Sequence, residues 1–128
     1  MQTKRLPSRS DCLAPDGSEI RLLVAGERGS CVHCTLPPRA VSRAVTHRSV
    51  EEIWYFLHGQ GQVWRSLDGA EETAEVSPGV CLTIPCGAHF QFRNTGGVPL
   101  EFVLATMPPW PGDQEAVRVT DHWPVEEA

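Results

Sequence analysis

Turn-forming residues divide this chain into short segments, and this pattern disfavours a helical fold. Glycine and proline contribute 11 residues each and are spread along the whole chain. No stretch of about 11 or more residues has apolar side chains at the 3.6-residue spacing of an amphipathic helix. Strand-like segments recur instead at intervals of roughly 8–12 residues, which is typical of an all-β sandwich or barrel.

The predicted strands are short and rich in β-branched and aromatic residues. They are Ile20–Ala25, Cys31–Leu36, Glu51–Leu57, Gln62–Leu67, Glu71–Val76, Val80–Ile84, Ala88–Arg93 and Leu100–Met107. Arg39–His47 is expected to be extended, and Asp68-Gly69 predicts a two-residue hairpin turn. The unbroken apolar run at the end of Glu51–Leu57 predicts burial on both faces, one toward the core and one toward another layer or subunit.

Length and charge set further limits. The 128 residues predict a single domain, with its core at about 31–107, an irregular segment at 1–17 and an extended tail at 108–128. A formal net charge of −5 argues against nonspecific binding to nucleic acid or to an anionic membrane. No apolar run reaches the roughly 20 residues of a membrane span, and the N-terminal segment is polar. We therefore expect no signal peptide and a cytoplasmic location.

Two residue counts narrow the chemistry. The 11 basic residues include a single lysine, Lys4, in the polar N-terminal segment, which nearly excludes Schiff-base chemistry. The five cysteines are an odd number in a chain without a secretion signal, so we expect reduced thiols that act mostly as small buried hydrophobes. We extend this expectation to Cys81 and Cys86, and we interpret Cys31–Cys34 as strand packing rather than as a zinc motif.

Two motifs have a characteristic spacing. The first is a glutamate followed after six residues by a glycine. The second is a glycine, five residues, Pro-x-Gly, and an asparagine nine residues after the proline. The positions are Glu52, Gly59, Gly79, Pro85, Gly87 and Asn94. Both motifs resemble those of the cupin superfamily. The resemblance extends from about Cys31 to Met107, and Met107–Gly112 is similar to a sequence of small single-domain bacterial cupins. It implies an all-β double-stranded β-helix, or jelly-roll barrel, with few or no helices.

The resemblance also implies a metal site, which the sequence matches only in part. Cupins hold a divalent ion with two histidines and the glutamate of the first motif and one histidine of the second. Glu52 and His47 match two of these ligands, whereas Val45 and Phe90 occupy the other two positions. His89 precedes Phe90 and should point outward unless a bulge re-aims it, because side chains alternate along a strand. A site of His47, Glu52 and His89 for Fe, Mn, Ni or Zn stays open, as does a barrel without metal.

Aromatic and charged residues predict a pocket for a small organic molecule. The residues expected on the inner face are Trp54, Phe56, Phe90 and Phe92. Arg43 has the same strand parity as His47, so its guanidinium could bind a ligand carboxylate or pair with a surface acid. His47 and Glu52 are the candidate catalytic residues, with Glu52 as a general base.

Three functions agree with these features. We favour a cupin that binds a small organic acid or sugar-like ligand, because Val45 and Phe90 replace two metal ligands. The alternatives are a metal-dependent oxygenase, isomerase or lyase, and a metal-free isomerase or cyclase in which Glu52 and His47 act on an enolisable substrate.

The outer face of Glu51–Leu57 is the expected subunit interface. Ile53, Tyr55 and Leu57 alternate with the inward-facing residues, so their side chains should project away from the core. Cupins are commonly homodimers, and the resemblance implies that a second copy covers this face.

Overall fold

The chain folds into short β-strands at the predicted positions. The computed structural model describes residues 1–125, which contain eleven β-strands and no helix, and hence no helix that could cross a membrane. The strands are β1 (Cys12–Leu13), β2 (Glu19–Ala25), β3 (Ser30–Leu36), β4 (Val45–His47), β5 (Glu51–His58), β6 (Gly61–Leu67), β7 (Ala70–Val76), β8 (Cys81–Ile84), β9 (His89–Asn94), β10 (Leu100–Met107) and β11 (Ala116–Arg118). The eight predicted strands are confirmed as β2, β3 and β5 to β10, with ends that differ by at most one residue.

The strands form two antiparallel sheets. One sheet has the order β1-β2-β3-β10-β5-β8, and the other has the order β11-β4-β9-β6-β7. Strands that are distant in sequence lie side by side, as β3 and β10 do, which is the connectivity of a jelly roll. Apolar residues from both sheets form one core between them. The all-β barrel expected from the sequence is confirmed.

Strand β5 shows how the sequence pattern forms the core. Glu52, Trp54 and Phe56 point inward, and Trp54 stacks on Phe102 of β10 with ring centroids 4.5 Å apart. Burying one such aromatic side chain contributes about 1.5–3 kcal/mol. On the outer face Ile53, Tyr55 and Leu57 are 44%, 46% and 44% exposed. In the single chain, strand β5 is therefore buried on one face only.

Two turns depend on backbone conformations that few residues adopt. The predicted hairpin turn between β6 and β7 has positive φ angles of 52° at Asp68 and 81° at Gly69. Gly59 has a φ angle of 84°, and a Cβ atom there would lie only 2.5 Å from the carbonyl oxygen of Pro99. The glycine of the first motif is thus required for both conformation and space.

The asparagine of the second motif ties two chain segments together. The side-chain nitrogen of Asn94 donates to the carbonyl oxygens of Leu36, Pro37 and Val98, at 3.0, 3.1 and 2.7 Å. Its side-chain oxygen accepts from the main-chain N–H of Gly96 at 2.9 Å. Asn94 therefore joins the end of β3 to the turn between β9 and β10.

Both ends of the chain add short strands that the sequence pattern did not predict. Strand β1 pairs with β2, and β11 pairs with β4 so that Ala116 lies opposite His47. Further along the tail, the buried side chain of Gln91 donates to the carbonyl of Trp123 and accepts from its N–H, at 2.9 and 2.8 Å. The last residues of the predicted tail, 126–128, lie outside the described part of the chain.

The expectation that the cysteines are mostly buried is wrong. All five thiols are free, but only Cys34 is fully buried and Cys31 is half-buried. Cys12, Cys81 and Cys86 are exposed. Cys81 pairs in register with the outward-facing Tyr55, so strand alternation directs its side chain to the outer face.

Candidate functional site

A cavity of about 370 Å³ lies between the two sheets. Its wall is mainly apolar and includes Trp54, Phe90, Phe102 and Leu104. The polar part of the wall includes Asp16, Ser18, His47, Glu52 and Thr106. The volume and the few convergent polar groups suit a small organic molecule.

Glu52 is held in the cavity wall by two hydrogen bonds. Its Oε1 accepts from the indole N–H of Trp54 at 3.0 Å, and its Oε2 accepts from the hydroxyl of Thr106 at 2.7 Å. Thr106 is in register with Glu52 on the neighbouring strand β10, which places the hydroxyl beside the carboxyl group. Burial raises the pKa of Glu52 to about 7, and the two hydrogen bonds oppose this shift only in part. Near neutral pH the carboxyl group can therefore give or take a proton.

His47 ends strand β4 beside Glu52 but does not hydrogen-bond to it. Its Nδ1 lies 4.0 Å from Oε1 of Glu52, and within residues 1–125 this buried nitrogen has no hydrogen-bond partner. The ring meets Phe90 and Trp110 in edge contacts, with centroids 5.0 and 5.2 Å apart. Burial lowers the pKa of His47 to about 4, although the charge of Glu115 opposes this shift. The imidazole is thus neutral at pH 7.

Glu115 fixes the turn that connects His47 to Glu52. Its buried Oε1 accepts from the main-chain N–H groups of Ser49 and Val50, at 2.5 and 3.0 Å. The hydroxyl of Ser49 also donates to it at 2.6 Å. Burial would raise the pKa of Glu115, but these hydrogen bonds lower it overall. The tail of the chain therefore positions the two candidate site residues.

The predicted aromatic residues divide into two groups. Trp54 and Phe90 line the cavity, whereas Phe56 and Phe92 are fully buried and are absent from its wall. Phe56 and Phe92 each lie two positions further along their strands, where they fill the core between the sheets. All four aromatic side chains point inward, as predicted, but of the four only Trp54 and Phe90 lie where a ligand in the cavity could touch them.

The structure does not bring Arg43 into the cavity. The main-chain N–H of Arg43 donates to the carbonyl of Asp16 at 2.7 Å. Burial raises the pKa of Asp16, and the charge of Arg43 opposes this shift. Because Arg43 precedes β4, the strand parity that it was expected to share with His47 does not apply. Of residues 1–125, no arginine or lysine lines the cavity, so none of them places a positive charge in its wall to bind a ligand carboxylate.

The predicted three-residue metal set is also wrong. His89 is exposed on the outer face of β9, and the pairing of β9 with both neighbours runs across it without a bulge. Val45 and Phe90 fill the two other ligand positions with apolar side chains, so only His47 and Glu52 remain. No group of three or more His, Cys, Asp or Glu side chains in the described chain could hold a metal ion. These residues do not fit the divalent ion that the resemblance implies.

Sequence reasoning missed several residues of the cavity wall. Thr106 is buried in phase with Phe102 on β10, so strand alternation could have identified it. Asp16 and Ser18 lie in the β1–β2 connection, where Asp16 Oδ1 accepts from the hydroxyl of Ser18 at 2.6 Å. Trp110 belongs to the irregular tail. No periodic signal marks these last three residues.

Comparison with known proteins identifies the family. The cupin domain family matches residues 32–106 of the chain. An uncharacterised protein of Methanocaldococcus jannaschii is 31% identical over 103 residues, which cover 77% of this chain and 79% of that protein. The chain belongs to the cupin family.

Solved structures show the same fold at lower sequence identity. A Klebsiella pneumoniae protein with a double-stranded β-helix domain has a TM-score of 0.68 and 13% identity, covering 84% of this chain and 89% of its own. Oxalate decarboxylase from Bacillus subtilis, an enzyme with Mn(II) centres, has a TM-score of 0.72 and 16% identity. That match covers 88% of this chain but 30% of the decarboxylase. At these identities the likeness concerns the fold alone.

Proposed function

We propose that this cupin binds a small organic molecule in the cavity between its sheets. The observation that carries the proposal is the largely apolar cavity of about 370 Å³, whose wall holds Glu52 and a His47 whose Nδ1 has no hydrogen-bond partner among residues 1–125. A buried polar group without a partner costs about 1–3 kcal/mol, so a ligand that bonds to it recovers part of this cost. Within residues 1–125 no third His, Cys, Asp or Glu joins His47 and Glu52 to hold a metal ion, which disfavours the metal-dependent alternatives.

Filling the cavity tests this proposal. Val32 lines the cavity from β3, whereas Val98 is 47% exposed in the turn between β9 and β10 and is absent from the cavity wall. A fragment library is screened by ligand-observed NMR against the wild-type chain, Val32→Trp and the control Val98→Trp. We expect fragments whose binding signals are lost with Val32→Trp and retained with Val98→Trp. Fragments that bind all three chains equally, or no binding at all, would contradict the proposal.

The pair of Glu52 and His47 supports a second candidate function, metal-free acid–base chemistry on an enolisable ligand. The specific observation is that burial raises the pKa of Glu52 to about 7, within the working range of a general base. The carboxylate would take a proton from the carbon next to a ligand carbonyl, which leaves an enolate and a carboxylic acid. Once the acid has exchanged its proton with the solvent, it would donate a solvent-derived proton back to the same carbon. The probe reaction is exchange of these hydrogens in cyclohexanone for deuterium in D₂O, followed by proton NMR. Exchange that is catalysed by the wild-type chain and by Glu72→Gln but lost in Glu52→Gln supports this candidate, and equal rates in all three overturn it.

We also propose that a second copy of the chain covers the outer face of β5. Support comes from Ile53, Tyr55 and Leu57, which are apolar or aromatic and about half exposed in the single chain. Sedimentation equilibrium of wild-type protein, Tyr55→Glu and a control on the other sheet, Thr73→Glu, tests this interface. We expect a dimer that only Tyr55→Glu converts to monomer; a wild-type monomer would contradict the interface.

A reducing compartment, such as the cytoplasm, suits the cysteine residues. Cys12, Cys81 and Cys86 are exposed and free. Exposed free thiols are uncommon in proteins of oxidising compartments, where disulfides form. Localisation of the tagged chain by cell fractionation checks this proposal.

A further inference from the structure

The charges around the cavity have one sign. Asp16, Glu52 and Asp113 belong to its wall, while no Lys or Arg among the described residues does. Arg43 lies near Asp16 outside the wall and balances part of its charge. Among the described residues, the hydrogen-bond partners of the Glu52 carboxyl group are the neutral side chains of Trp54 and Thr106.

The imidazole of His47 lies beside Glu52, and its buried Nδ1 has no hydrogen-bond partner within residues 1–125. His47 is 6% exposed, lines the cavity and makes no side-chain hydrogen bond within residues 1–125. A neutral imidazole has one nitrogen that accepts a hydrogen bond and one that donates, whereas each oxygen of a carboxylate accepts more than one. Ionised Glu52 and the accepting nitrogen of His47 therefore give the polar end of the cavity an excess of acceptors and a negative charge, which a ligand with several donors and a positive charge complements.

We infer that the ligand is a small primary or secondary amine, bound as an ammonium ion between Glu52 and His47 with its apolar body against Phe102 and Leu104. An ammonium group only donates hydrogen bonds, which matches the acceptors of Glu52 and His47. Its positive charge complements the carboxylate, and charge-assisted hydrogen bonds are about twice as strong as neutral ones. This inference rests on the proposed function and specifies the ligand class of the same cavity.

Matched probes with one apolar body test the charge preference. The first set is hexylamine, hexan-1-ol and hexanoate, and the second is 2-phenylethylamine, 2-phenylethanol and 3-phenylpropanoate. Dissociation constants are measured by calorimetry at about pH 8, where carboxyl groups are largely ionised even when their pKa is raised to about 7. We expect at least one amine to bind about tenfold or more tightly than its alcohol, and both carboxylates to bind more weakly than the alcohols.

Two charge-neutralising variants test whether the preference for amines depends on Glu52. Glu52→Gln keeps a side chain that can bond to Trp54 and Thr106 but removes the charge. Glu72→Gln removes an equal charge from the exposed face of β7. The amine preference should fall to about twofold or less in Glu52→Gln and persist in Glu72→Gln. The comparison of probes on the wild-type chain does not depend on how well a variant folds.

The outcomes separate this inference from the function on which it rests. Alcohols that bind as tightly as amines, or carboxylates that bind best, overturn the amine class and leave ligand binding in the cavity standing. An amine preference that survives in Glu52→Gln also overturns the inference. If no probe of either set binds, the amine class is overturned, and the fragment screen with Val32→Trp decides separately whether the cavity binds another ligand.

Discussion

Val45 and Phe90 face each other across strands β4 and β9, at the two positions where cupin motifs place histidines. Both residues are about 1% exposed. A lone histidine at either position would be buried against an apolar partner without a hydrogen bond, which is costly. The two apolar residues thus form a consistent pair, and the site around them keeps only His47 and Glu52 of the four family ligands.

Restoring the two histidines should create a metal site. We expect the wild-type chain to hold far less than one metal per chain after incubation with Fe, Mn, Ni or Zn, because two side chains are too few for tight binding. The double variant Val45→His/Phe90→His should hold about one. Metal content is measured by mass spectrometry after gel filtration. The same double variant with Glu52→Gln is the control and should bind less. One metal per wild-type chain, lost in His47→Ala, would contradict this expectation.

The raised pKa of Glu52 makes folding stability depend on pH. Because folding raises this pKa from 4.5 to about 7, the contribution of the protonated carboxyl group is complete below about pH 4.5 and is lost as the pH rises through 7. Relative to Glu52→Gln, the wild-type chain should lose on the order of 3 kcal/mol of unfolding free energy between about pH 4 and pH 8. Urea unfolding at several pH values measures the difference. Glu72→Gln is the control, and an equal pH trend in both variants would refute the assignment to Glu52.

The pKa shift of His47 makes the unfolding free energy depend on pH in the opposite direction. Folding lowers its pKa from 6.5 to about 4, so its contribution is present above pH 6.5 and is lost as the pH falls through 4. Both the wild-type chain and Glu52→Gln contain His47, so this term cancels in their difference. In the wild-type chain the two contributions nearly cancel between about pH 4.5 and 6.5, because one falls by as much as the other rises.

The strands could be predicted from sequence because their signals are local. Alternation of apolar residues and turns such as Asp68-Gly69 fix the ends of the eight main strands to within one residue. Strands β1 and β11 have two and three residues, which is too short for alternation to be recognised. Their pairing depends on contacts with β2 and β4, which are formed only in the folded chain.

The residues of the candidate site could be predicted only where they lie on regular strands. Alternation correctly directed His89 outward, and motif spacing identified Glu52. The same parity argument fails for Arg43, which lies in irregular backbone before β4 and approaches Asp16 instead. Asp16 reaches the cavity through the β1–β2 connection, and sequence spacing gives no measure of where such a loop closes.

The motif glycine Gly59 should tolerate no side chain. Gly59→Ala places a methyl group 2.5 Å from the carbonyl oxygen of Pro99 at a φ angle of 84°. We expect a loss of about 2 kcal/mol or more in unfolding free energy, from steric contact and backbone strain together. Gly97→Ala is the matched control, since a Cβ atom there meets no atom within 4 Å. Equal melting temperatures for the two variants would show that the turn relaxes at little cost.

Glu115 should affect ligand binding without touching the ligand. Glu115→Ala removes the acceptor for the N–H groups of Ser49 and Val50, which lie in the turn between His47 and Glu52. Leaving the buried N–H of Val50 and the part-buried N–H of Ser49 without this acceptor should cost about 1–3 kcal/mol in unfolding free energy and weaken cavity binding as the turn loosens. Gln114→Ala is the control, because within residues 1–125 Gln114 accepts from Arg48 through its main-chain carbonyl, which the substitution keeps. Chemical denaturation and the probe titrations measure both effects. If Glu115→Ala lowers stability but leaves every dissociation constant unchanged, Glu115 supports the fold and does not position the site.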